Sequence, residues 1–143
     1  MEVICMMGML LHMSVEDIRK RTVPVIPMMI WGMAGVLLHL YHGRIGCDSM
    51  LGGLIPGIAV YILSILTHER IGKGDAILLI VTGIYMGFWG NIFMLWIGMI
   101  LAAVGGVVSM AFFKKSKHYE LPFVPFLFAG FLMIVLCNGG MPS

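Results

Sequence analysis

The chain has 143 residues, of which 60% are hydrophobic and 11% charged, with a formal net charge of +2 and a mean hydropathy of +1.02. A domain this small leaves too much surface exposed to hide that many apolar side chains from water, which excludes an ordinary soluble enzyme and sends the excess towards lipid. The 19 glycines and 15 methionines agree, because small residues let membrane helices approach closely and methionine fills irregular gaps.

Six apolar stretches follow one another between polar breaks, at 2–16, 25–41, 50–66, 75–89, 91–113 and 121–137. Backbone groups in lipid must bond internally, so each stretch is predicted to be a helix. Six crossings of about 20 residues leave room only for short loops. The expected fold is therefore all-α: a single membrane-embedded bundle of about six transmembrane helices occupying residues 1–143, with no soluble domain. The first stretch is marginal for a crossing, being apolar only as far as Ser14, and the fourth is short as well. It has Glu2 where a signal peptide has basic residues, and no small-x-small site follows, so it is read as part of the mature chain. Short turns at His42-Gly43-Arg44 and Gly90-Asn91 predict antiparallel neighbours.

Basic residues set the orientation. Arg19, Lys20 and Arg21 follow the first stretch, Arg70 and Lys73 the third, and Lys114, Lys115 and Lys117 the fifth, leaving Arg44 as the exception. Basic loops are retained in the cytoplasm, so the odd-numbered loops are expected there and both termini outside. Asp17 and Asp75 then fall on the cytoplasmic face, at the end of the first helix and the start of the fourth.

Acids at the margin of a membrane segment are functional candidates, because they are costly there unless paired or wetted. Two carboxylates brought close share one proton and titrate as a pair. The ionised member can take a proton from an attacking water while the protonated member stabilises the peptide carbonyl oxygen. The structural alternatives are a salt bridge from Asp17 to Arg19, Lys20 or Arg21, and an N-cap or first-turn role for Asp75.

Three segments weigh against those alternatives. Asp17 is followed by Arg19-Lys20-Arg21 and then by Val23-Pro24; Gly72-Lys73-Gly74-Asp75 spells GxGD; and Pro122-Phe123-Val124-Pro125-Phe126-Leu127 opens the last apolar stretch. Together, in this order, they resemble the type IV prepilin peptidases, the membrane aspartic proteases with a GxGD signature. The resemblance implies that Asp17 and Asp75 are the catalytic pair, cutting the leader from a prepilin-like membrane substrate at the cytoplasmic face of a prokaryotic inner membrane. It implies no cofactor and no nucleic-acid partner. Gly72, Lys73 and Gly74, with Phe123 and Phe126, are candidates for shaping the loop or touching substrate. Glycines without Cβ let the backbone turn and a substrate strand approach Asp75, whereas Phe123 and Phe126 have packing as their simpler explanation. Pro24 and Pro122 need only a helix-start role.

Some features depart from the family pattern. Asp17 comes so early that the cytosolic domain with paired C-x-x-C motifs is expected to be missing, as in the short peptidase-only members, and N-methylation with it. Ile77 stands where a lysine is frequent, and Val124 where a glycine is common. Cys5, Cys47 and Cys137 are scattered and make no zinc or disulfide framework, and no metal site is expected. The histidines lack metalloprotease spacing, and His12 is expected to be a packing residue off the face of Asp17. Glu69 reads as a solvated loop residue, Tyr119 and Glu120 as candidates for touching substrate, with an interfacial anchor an equal explanation for Tyr119, and Arg19, Lys20, Arg21 and Lys73 as grips for acidic substrate positions or lipid headgroups. A competing reading is a small proton-coupled transporter or channel subunit; its acids usually sit near the bilayer midplane rather than beside loops.

Overall fold

A computed structural model describes residues 2–21, 23–42, 47–68, 72–113 and 122–139. These form five helices and no strand: α1 (Glu2–Lys20), α2 (Val25–His42), α3 (Cys47–Leu66), α4 (Lys73–Phe113) and α5 (Val124–Asn138). Periodicity explains which faces turn inwards. On α1 the buried positions are Glu2, Met6, Met9, Leu10, Met13, Ser14 and Asp17, a stripe at three- and four-residue spacing. Ile4, Met7, Leu11, Val15 and Ile18 form the opposite, exposed stripe. The core joins those methionines to Met28 of α2, to Leu78, Leu79, Tyr85, Met86 and Met94 of α4, and to Val124, Leu127, Phe131 and Ile134 of α5.

Many large apolar side chains also face outwards. Along α2, Ile26, Met29, Ile30, Met33, Leu37 and Leu40 are each at least 60% exposed. An unbroken apolar stripe of this kind suits lipid and not water. Asp48–Leu66 and Lys73–Ala111 are long and apolar enough to cross a membrane, and Val25–Tyr41 and Val124–Asn138 are shorter apolar helices.

The fourth and fifth predicted stretches are joined in α4, and the break between them is at Gly87 rather than at the predicted Gly90-Asn91 turn. Gly87 adopts φ 67° and ψ −171°, a conformation disfavoured for any residue with a Cβ. It divides α4 into arms of 73–86 and 88–113. In a straight helix Leu79 and Asn91 would be about 18 Å apart. Instead the Asn91 amide donates to the Leu79 carbonyl oxygen at 2.9 Å, so the second arm folds back along the first. The same amide donates to Gly53 O of α3 at 2.9 Å, and the Thr82 hydroxyl donates to Asn91 Oδ1 at 2.9 Å. Gly90-Asn91 therefore lies inside a helical arm, with Asn91 fully buried. The α3–α4 contact is backbone to backbone: a Cβ on Gly83 would overlap the Gly53 carbonyl. The predicted His42-Gly43-Arg44 turn and the loops bearing Arg70, Lys114, Lys115 and Lys117 lie wholly or partly outside the described residues.

Candidate functional site

At one end of the bundle α1 finishes while α2, α4 and α5 begin. Asp17 reaches it on the inward stripe of α1 and is 6% exposed. It sits one turn after Ser14, whose buried hydroxyl has no hydrogen-bond partner among the described residues. Asp75 comes from the first turn of α4 and is half-buried. Its three- and four-residue successors, Leu78 and Leu79, are fully buried, so the same periodicity turns it towards the interior.

The third segment also arrives here. The Val124 N–H donates to Asp17 Oδ2 at 3.0 Å. Burial pushes the Asp17 carboxyl above its ordinary value, and the N–H groups of Val124 and Phe123 oppose that rise. Asp17, in the last turn of α1, and Asp75, in the first turn of α4, thus stand at the same end of the bundle. The alternatives raised for them fare differently. Among the described residues, Lys20 pairs with Glu16 at 3.0 Å, not with Asp17. Asp75 does occupy a first-turn position in α4.

The glycines at this end are sites of close approach. A Cβ on Gly72 would stand 2.9 Å from Asp75 Oδ2, so only glycine leaves the carboxyl its present position. A Cβ on Gly74 would stand 3.0 Å from the Cβ of Val23, in the linker between α1 and α2. Gly74 thereby seats the start of α4 against the segment that follows Asp17. Lys73 is exposed as the first residue of α4. Phe123 packs against the core, and the Phe126 ring faces Gly105 of the second arm of α4, where a Cβ would be 2.7 Å away. The arrangement brings Asp17, Asp75, Gly72, Gly74 and the start of α5 to one end, with the two phenylalanine rings packed on protein.

Sequence reasoning missed three contributors. Ser14 was findable, because it precedes Asp17 by three positions on the same helix face. The Val23 contact and the Val124 N–H were not, since nothing local says what a backbone group or a valine will meet. His12 is a correction: it is exposed, and not packed as expected. Among the described residues, His39 is buried and neither of its ring nitrogens has a hydrogen-bond partner. No group of three His, Cys, Asp or Glu side chains suited to a metal occurs among the described residues.

Comparisons with known proteins bear on the family. No curated protein and no solved structure gives a significant match to the chain. A family model described as the type IV leader peptidase family matches residues 4–107. That stretch holds Asp17, Gly72, Gly74 and Asp75 and stops short of the segment whose N–H reaches Asp17. With nearly three quarters of its residues inside the match, the chain belongs to the type IV leader peptidase family, and it is a membrane protease of that family.

Proposed function

We propose that the protein is an aspartic endopeptidase that uses Asp17 and Asp75 to remove the leader from type IV pilin-like precursors. The single observation that supports this most directly is the placement of two acids from different helices at one end of the bundle, beside the GxGD glycines. Such a pair holding one proton can hydrolyse a peptide without a metal or a covalent intermediate. The ionised carboxylate takes a proton from water as its oxygen attacks the scissile carbonyl carbon. The other acid protonates the carbonyl oxygen. Collapse of the tetrahedral species breaks the C–N bond, with the proton taken from water passing to the leaving nitrogen.

The same reading places the protein in a prokaryotic inner membrane, with six crossings, both termini outside and the acids at the cytoplasmic edge. The basic residues at 19–21, 70, 73, 114, 115 and 117 support that orientation. A prepilin-like substrate would present a cytosolic leader followed by an apolar helix, and its junction would meet the acids at that edge.

Co-expression with a prepilin-like substrate tests the reading. Asp17→Asn and Asp75→Asn should each abolish leader removal while the protein still inserts and accumulates. Cleavage persisting in both variants would refute it.

A further inference from the structure

Resting on the aspartic-protease reading, we propose that the first turn of α5 sets which aspartate does what: Asp17 is the ionised base, and Asp75 holds the shared proton. A helix opens with N–H groups that have no partner within the helix. At the start of α5 these can be followed one by one. Pro125 has no N–H. The Phe126 N–H bonds to Phe123 O at 3.0 Å. Phe123 offers no side-chain cap, and the first turn of α5 contains no acid. The Val124 N–H is left, and its acceptor is Asp17, 107 positions earlier in the chain. Asp17 thus caps a helix to which it does not belong.

A hydrogen bond donated to a carboxylate stabilises its charged form, and a helix N-terminus adds its dipole in the same sense. Asp75 accepts no backbone N–H among the described residues, although it lies in the first turn of its own helix. When the pair carries one proton, that proton therefore belongs on Asp75. Among the described residues, no charged side chain is paired with Asp17. On α1, Glu16 is paired with Lys20, while His12 and Arg19 are exposed. From α4 come Asp75 itself and the exposed Lys73. Titratable side chains on α2 and α5 occur only in their last turns, far from Asp17. In the reaction, the water proton goes to Asp17 and then to the leaving amine. Asp75 gives its proton to the carbonyl oxygen and recovers it on collapse.

The test has two parts. In purified single variants, infrared spectra of labelled aspartate report the pH at which each carboxylic acid band is lost. Asp75 in the Asp17→Asn protein should keep its proton to a higher pH than Asp17 does in the Asp75→Asn protein. The reverse order, or equal midpoints, would overturn the proposal. In the otherwise unchanged enzyme, replacing the amide at Val124 by an ester, or making Val124→Pro, removes the donor. Val124→Ala keeps it. The acid limb of the kcat/KM profile should move up by about one pH unit in the ester and proline variants and stay in place in the alanine variant. If the ester moves neither this limb nor the Asp17 band measured in the Asp75→Asn background, the capping role is wrong. That outcome leaves the protease reading standing, because the reading fails only if the asparagine variants still cleave.

Discussion

The two ends of the first arm of α4 treat buried polar groups in opposite ways. At the Gly87 end, Asn91 donates to two carbonyls and accepts from Thr82, so the knot joining both arms of α4 to α3 is closed within the protein. At the Asp75 end, two acids stand at one end of the bundle, a neighbouring serine hydroxyl has no partner among the described residues, and a donor to Asp17 comes from a distant helix. A satisfied network in a low-dielectric interior rigidifies and specifies one packing. An incompletely satisfied one keeps capacity for a water or a substrate carbonyl. The first end builds the scaffold, and the second is left available for chemistry.

Four substitutions can break or sharpen this contrast. Gly83→Val should be the most damaging to the fold, because its side chain must enter the space of the Gly53 carbonyl. Overpacking of this kind costs about 3 kcal/mol or more where backbone is the obstacle, and thermal unfolding in detergent followed by tryptophan fluorescence should show it. Gly72→Ala should act on activity instead. Its methyl displaces the Asp75 carboxyl, and a misplacement of about 1 Å lowers turnover by roughly a hundredfold while stability stays within about 1 kcal/mol. Comparable losses of stability and activity in that variant would dissolve the distinction between the two ends.

Asn91→Leu comes next. It removes a donor and an acceptor from the closed knot and should cost about 1–3 kcal/mol, with the cleavage rate per folded molecule unchanged. A drop in that rate without a drop in stability would mean that the Gly87 end takes part in catalysis. Smallest is Lys20→Ala. It removes a surface ion pair with Glu16 that solvent screens, and the melting temperature should scarcely move.

Much of the helical content was readable from composition and period. The inward stripe of α1 can be traced residue by residue from Met6 to Asp17, and the boundary at Val25 follows a proline that suits a helix start. The reversal within α4 was misplaced by three residues. Gly90-Asn91 has the composition of a turn, but Gly87 alone takes the positive φ, and Asn91 serves better as a buried clamp than as a loop residue. The glycines of the GxGD segment were recognisable as special, yet their partners were not. Whether a missing Cβ makes room for Asp75, as at Gly72, or for Val23, as at Gly74, depends on what the fold brings opposite.

From the sequence alone came the class of molecule, the helical segments and the pair of acids, because hydropathy and the 3.6-residue period are local properties carried by side chains. The tertiary structure decided where the chain doubles back, which residues the glycines admit, and that the opening N–H of α5 is spent on Asp17. Every helix begins with unpaired N–H groups whatever its side chains. Only the approach of another helix determines whether the acceptor is water, a cap of its own, or a carboxylate from the far end of the chain.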